Sequence, residues 1–368
     1  MPNMIQGYGV SLYLEEHADE TKMQSYLALA KSKDCKEIFT SAHLPEYTLK
    51  EQLRFLAILV KQVHRFRMEI SVDFGGGSIM EILQDPFTCE AIASLQLDAM
   101  RLDYGCNADI MEALHKQTGI STFILNASIL QEKELLPYLE KAKEHQIQIK
   151  ACHNFYPRED TGLDMDFMIS QYQLFHKYGI PVTACIASHT HPRGPIFKGL
   201  PTMEKQRYMS VEKAALELSA SLVADWLLAG DAYLKETELD ALYCILHKKE
   251  LVLHVSFLEN ATKEEKQLLL GRVHAIRYDS NSRILRSQSS REMAEFAKKI
   301  KAHNTVERKA LTITIDNENY LRYSGEVQFV LQDLPSDERV NVAGCIAKED
   351  AWKLQYYREG FAYRLIAV

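Results

Sequence analysis

The sequence predicts an α/β fold, a (β/α)8 TIM barrel followed by a smaller β-rich domain. Eight short apolar runs alternate with segments of helical spacing over residues 1–237, the pattern of parallel strands joined by crossover helices. No G-x-G-x-x-G turn opens the first unit, as a dinucleotide-binding doubly wound sheet would require. After Thr237 the alternation gives way to runs that read mostly as strands with turns between them. A chain of 368 residues with 46% hydrophobic content supplies core for two domains, assigned to 1–237 and 238–368.

In order, the barrel runs are GYGVSLYL from Gly7, EIFTSAHL from Glu37, EISVDF from Glu69, AMRLDYG from Ala99, STFILNAS from Ser121, IQIKACHNF from Ile147, PVTACIAS from Pro181 and a weaker VADWLLAGD from Val223. Between them, Leu49, Leu53, Leu56, Val60 and Val63 recur at helical spacing, as do Leu135, Leu139 and Ala142. After the seventh run, Pro192, Gly194, Pro195, Gly199 and Pro201 forbid both a helix and a continued ladder, which predicts a rigid loop carrying Arg193 and Arg207. Gly75 to Gly77 predict a flexible turn, with a backbone nest for an anion as the alternative. In the second domain LVLHVSFL, VHAIRY, SRILRS, ALTITID, GEVQFVL, RVNVAGCIA and FAYRLIAV read as strands, and only Lys263 to Leu270 and Ser289 to Ala302 as helices. An antiparallel barrel suits that pattern.

A net charge of -7 argues against a general nucleic-acid or anionic-membrane surface, so any anionic ligand must be handled locally. Seven widely spaced cysteines without a CxxC suit a reducing compartment. The start has no basic segment followed by an apolar stretch, and nowhere do 18 apolar residues run together. The expectation is a cytoplasmic protein acting on a small molecule, with a homo-oligomer left open.

Barrel enzymes place their sites at the C-terminal ends of the strands. Polar residues collect there: Tyr13, Glu15 and Glu16; Ser41, His43 and Glu46; Asp73; Arg101, Asp103 and Tyr104; Asn126 and Ser128; His153, Asn154, Tyr156 and Arg158; Ser188, His189 and Arg193. Any one alone is more often a cap or turn residue than a catalyst. Asp73 and Asp103, however, end neighbouring strands, which lie about 4.8 Å apart. Two carboxylates roughly 5–6 Å apart fall in the range of retaining glycosidases. Burial and mutual repulsion would raise one to serve as an acid and leave the other ionised. Glu16 and Glu46 are the reserves for this catalytic pair. The simpler alternative is that Asp103 pairs with Arg101 within the barrel.

The motifs SLYLEE, FTSAHLPE, SVD, RLDYG, LNAS, ACHNFYPRxxTG, RGPIFxGLPTxExxR and AGD, in this order, resemble the bacterial 6-phospho-N-acetylmuramidases, a glycoside hydrolase family. The match spans nearly the whole chain, and GEVQFVL and DERVNVAGCI resemble that family's small cyclophilin-like β-barrel. The resemblance implies cytoplasmic cleavage of 6-phosphorylated N-acetylmuramyl disaccharides during peptidoglycan recovery, with no cofactor and no metal. The residues expected to bind substrate are His43, Arg101, Asn126, His153, Asn154, Tyr156, Arg193, Glu204, Arg207 and Asp231. Arg193 is the first choice for the 6-phosphate, with Arg207 in the same loop. His153, Asn154 and Tyr156 are expected to line the sugar pocket. The chain departs from the family pattern at Ser188-His189, where a Gly-Asp pair is usual, and at Phe74-Gly75-Gly76-Gly77. The first departure removes a carboxylate from the mouth.

Two other readings use the same residues. A metal-dependent hydrolase would draw on His43, His153, His189 and His191, although His189 and His191 lack the helical spacing of a zinc motif. A non-catalytic sugar-phosphate-binding protein would keep the arginines and not need the carboxylates.

Overall fold

All eight apolar runs of the first domain form strands in the computed structural model, which describes residues 5–14, 19–42, 47–288, 290 and 300–368. They are β1 (Gly7–Ser11), β2 (Glu37–Ser41), β3 (Glu69–Phe74), β4 (Ala99–Leu102), β5 (Thr122–Asn126), β6 (Gln148–Cys152), β7 (Val182–Ile186) and β8 (Trp226–Ala232). Each pairs in parallel with the next, and β8 returns to β1, so the sheet closes into a barrel. The eighth run, the weaker one in the sequence, makes the longest of these strands. Most strand positions are buried, because the interior covers one face and a ring of helices covers the other. Phe39, Ala99, Ile124, Cys152, Cys185 and Leu228 fill the interior, with Tyr13 and Phe155 packed against them.

The surrounding helices are α1 (Glu20–Ser32), α2 (Leu49–Arg65), α3 (Gly76–Gln84), α4 (Pro86–Leu95), α5 (Ala108–Thr118), α6 (Glu132–His145), α7 (Met165–Lys177), α8 (Val211–Ser221) and α9 (Glu236–Tyr243). Helix α2 starts at a reciprocal cap in which Thr48 and Glu51 satisfy each other's backbone N–H groups, and it buries Leu49, Leu56, Val60 and Val63. One difference from the sequence reading lies between β3 and β4. Gly75 to Gly77 are not a flexible turn: Gly75 caps α3, and Gly76 and Gly77 form its first turn. The fully buried Ile79 and Ile82 supply the apolar stripe that holds this helix despite its glycines. Asp85 then caps α4, where Pro86 occupies the first helical position and needs no N–H partner.

The chain divides into two compact units, Met1–Leu246 and His247–Val368. The expected boundary, 237/238, falls inside α9, which packs on α8.

The second unit contains β9 (Glu250–Phe257), α10 (Lys263–Leu269), β10 (Val273–His274), β11 (Ile284–Arg286), β12 (Thr312–Asp316), β13 (Val327–Val330), β14 (Val340–Ile346) and β15 (Ala362–Ala367). Its sheet runs β10-β15-β9-β14-β12-β13-β11. The expectation of a purely antiparallel sheet fails at one place, since β15 lies parallel to β9. Between these two strands the chain runs through β10 to β14, and 3-10 turns over Lys348–Glu359, packed on β9, then carry it from β14 across β9 to β15. The sequence reading has no helix there. Ala275 accepts from Gln288 at 2.7 Å and Arg286 from Arg277 at 2.8 Å, so the two edges of the sheet meet and the sheet curls. Most of the expected Ser289 to Ala302 helix lies outside the described residues.

Candidate active site

The mouth of the barrel is built around one guanidinium. Asp73 and Arg101 are register partners on β3 and β4, so their side chains leave the sheet side by side, and Asp103 follows two residues later on the same face. Arg101 Nη1 donates to Asp73 Oδ1 at 3.2 Å and lies 3.2 Å from Asp103 Oδ2. Its Nη2 donates to Asn154 Oδ1 at 2.6 Å. Asn126 Nδ2 closes the set, reaching Asp103 Oδ1 at 2.8 Å and Asn154 Oδ1 at 2.9 Å. The carboxylate pair and the Asp103–Arg101 ion pair, alternatives at the level of sequence, thus coexist. Burial opposes ionisation of Asp103, but the Arg101 guanidinium, the Asn126 amide and the Tyr104 N–H outweigh it and hold its carboxyl below the ordinary range. Burial opposes the charge on Arg101, but the Asp73 and Asp103 carboxylates outweigh it and hold the guanidinium charged.

His153 follows β6 with 1% of its surface exposed. Ser128 Oγ accepts the Asn154 N–H at 2.9 Å and lies 3.2 Å from His153 Nδ1. The serine hydroxyl keeps its own proton, and Nδ1 is within its reach. With that hydroxyl donating to Nδ1, the imidazole proton sits on Nε2, which has no partner in the protein. Burial first, and Arg101 second, push the His153 pKa down to about 3. His153 is thus a neutral N–H donor at a cavity wall. The cavity, about 230 Å³, is also lined by Asp73, Arg101, Asp103, Asn154 and Arg193, with Phe39, Phe155, Cys152, Cys185 and Leu228 as its apolar part.

The loop after β7 brings Arg193 to this cavity. Its guanidinium lies 3.7 Å from the centre of the Tyr13 ring, whose hydroxyl donates to Gly230 O. Asp231, at the end of β8 and fully buried, accepts the backbone N–H groups of Arg193 at 3.0 Å, Ser188 at 2.9 Å and Leu200 at 3.0 Å. Burial raises its pKa despite those bonds. Asp231 therefore shapes the loop.

Several expected site residues do other work. Arg207 is fully buried and donates to both Glu204 carboxylate oxygens at 2.6 Å, to Tyr156 O at 2.8 Å, to Arg158 O at 3.0 Å and to Gly199 O at 3.3 Å. All five N–H donors are engaged, which leaves none for a phosphate. Tyr156 meets this clamp through its carbonyl. His189 Nε2 bonds Arg207 O at 2.6 Å. Glu16, Glu46 and His43 lie outside the described residues. Among the described residues, no three His, Cys, Asp or Glu side chains converge as metal ligands. Sequence reasoning gave no role to Phe39, Phe155, Cys152 or Cys185, since an apolar strand residue looks the same whether it floors a cavity or fills a core. Ser128 and Tyr13 stood among the strand-end polar residues without a role.

A crystal structure of an uncharacterized B. cereus protein superposes with a TM-score of 0.72 at 29% identity, covering 99% of this chain and 100% of that one. A conserved protein of unknown function from Enterococcus faecalis gives 0.74 at 30% identity, covering 98% and 96%. A search of curated proteins found no match. Family models described as 6-phospho-N-acetylmuramidase, N-terminal and C-terminal, match residues 8–244 and 251–366. With matches in both units and nearly the whole length covered, the chain belongs to the 6-phospho-N-acetylmuramidase family.

Proposed function

We propose that this glycosidase hydrolyses 6-phosphorylated N-acetylmuramyl disaccharides in the cytoplasm, during recovery of cell-wall peptidoglycan. The observation that carries the chemistry is that Asp73 and Asp103 meet on one Arg101 nitrogen beside a cavity walled by Arg193. Asp103, held ionised, is the carboxylate that attacks or stabilises the anomeric carbon. Asp73 is the proton donor to the glycosidic oxygen that the described residues offer beside Asp103. Asp231 spends its oxygens on backbone N–H groups, and Glu238 accepts from the Ser188 and Thr190 hydroxyls. Two carboxylates each 3.2 Å from one nitrogen bring their nearest oxygens closer than the ~6.5–9.5 Å that accommodates a water in inverting enzymes, which favours retention. His153 donates from Nε2 to a sugar hydroxyl or the N-acetyl carbonyl, and Arg193 takes the 6-phosphate. The cyclophilin-like assignment of the second unit is supported by the meeting of its sheet edges.

The test uses two substrates, the disaccharide and 6-phospho-N-acetylmuramyl fluoride, whose leaving group needs little protonation. Asp103→Asn should lose both, by at least about 10²-fold. Asp73→Asn should lose the disaccharide by a similar factor and keep the fluoride. If both variants retain more than about a tenth of wild-type turnover on the disaccharide, the centre lies elsewhere and Glu16 and Glu46 are next. Proton NMR of the first-formed sugar should show the anomer of the substrate.

A further inference from the structure

A second, more open depression of about 400 Å³ adjoins the catalytic centre, lined by Gly75, Gly77, Asp103, Tyr104 and Gly105. Asp103 lines both this depression and the cavity that holds Arg101 and Arg193. We propose that the depression is the subsite of the leaving sugar, an uncharged pyranose such as an N-acetylhexosamine, whose C–H face packs on the Tyr104 ring. The proposal rests on the disaccharide reading above and adds to it where the second ring goes.

Charge divides the two spaces. A 6-phosphorylated muramyl ring carries a phosphate and a lactyl carboxylate, and the guanidinium groups of Arg101 and Arg193 face only the first cavity. Among the described residues that line the depression Asp103 alone is charged, and it is negative, so it repels an anionic ring and not a neutral one. With one ring on each side of Asp103, the glycosidic bond lies at the carboxylate assigned to the anomeric carbon.

Tyr104 supplies the contact. It is 84% exposed, which leaves a large ring uncovered beside the reacting carboxylate. Aromatic faces bind through broad apolar contact, and a pyranose offers a matching C–H face. The glycines keep the space clear. A Cβ built on Gly77 meets nothing within 4 Å, and Gly77 sits in the first turn of α3 without a positive φ, so neither packing nor backbone conformation demands glycine. A side chain placed at Gly77 would therefore meet no protein atom and would enter the open space of the depression.

Three variants test this with the same pair of substrates. Tyr104→Ala should raise KM for the disaccharide roughly five- to tenfold, the size of one aromatic contact, and Tyr104→Phe should restore it. Gly77→Leu, a good helix former, should fill the depression and depress disaccharide turnover while the melting temperature holds. Neither Tyr104→Ala nor Gly77→Leu should change hydrolysis of the fluoride, whose leaving group does not reach the depression. Equal loss on both substrates, or no loss on the disaccharide, overturns the subsite. A wild-type protein that hydrolyses neither substrate instead sinks the disaccharide reading, and the subsite with it.

Discussion

The Arg193 guanidinium carbon lies 3.7 Å from the centre of the Tyr13 ring, close enough for the delocalised cation to meet the ring's π face while its N–H groups fork to a phosphate. Lysine cannot reproduce it, because an ammonium neither stacks flat nor forks. Arg193→Ala should therefore weaken the phosphorylated substrate selectively by about 2–3 kcal/mol, read as kcat/KM against the same sugar without phosphate. If the variant discriminates between the two as well as wild type does, the phosphate sits elsewhere. His153 makes a different kind of claim. With its pKa near 3 the ring stays neutral across the working range, so it contributes a donor and no titration. His153→Gln should lower activity by roughly tenfold, the value of about one buried hydrogen bond, and leave both limbs of the pH–rate profile in place. Disappearance of a limb would mean that His153 gains and loses a proton during turnover.

At the scale of elements, the loop between β7 and α8 is held at two points. Asp231 gathers three of its backbone N–H groups, and Arg207, paired with Glu204, donates to carbonyls of the segment after β6. Removing Arg207 strands Glu204 and several buried carbonyls, so Arg207→Ala should cost about 3–5 kcal/mol of stability by the measure of buried pairs broken on one side. A variant that survives should lose rate on phosphorylated and unphosphorylated sugars alike, whereas Arg193→Ala should separate them. Unchanged melting of Arg207→Ala would remove the clamp. The i, i+3 spacing of Glu204 and Arg207 was a signal for such a local pair, but charge in a site loop drew the reading toward phosphate. The strands were legible because apolar runs bounded by turn residues admit few alternatives. Helix α3 was hidden by the glycine at its cap and the two in its first turn, and the parallel β15 by the absence of any local signature of strand direction. RLDYG at a strand end made Asp103 a site candidate, and the fold places it at the barrel mouth beside Arg101, since β-strand period and barrel topology fix where such residues emerge. Nothing local shows that Ser128 sets the tautomer of His153, because that contact joins residues 25 positions apart.

For the whole molecule, pH acts through groups buried far from the catalytic centre in sequence, and the second unit holds the clearest case. Asp316, 4% exposed at the end of β12, has its pKa pushed up to about 8, chiefly by burial and then by the neighbouring Glu326 and Asp337, against the opposing Arg286 and Arg308. Between its ordinary value of 3.8 and about 8 the folded chain binds more protons at this site than the unfolded chain. Stability from this group is therefore full below about pH 4 and lost as pH rises through about 8. His274 has the opposite sign: burial lowers it to about 4, so the unfolded chain binds more protons below its ordinary 6.5 and stability is lost on acidification. Toward alkaline pH only the Asp316 effect operates of these two. Trp352 lies in the second unit and Trp226 in the first, so a Trp226→Phe background makes Trp352 fluorescence a reporter of the second unit. In that background the melting temperature should fall between about pH 6 and about pH 9, and Asp316→Asn, which cannot ionise, should flatten the decline. Parallel decline in the two proteins would show that the charge on Asp316 is accommodated at no cost, and that another group sets the alkaline limit.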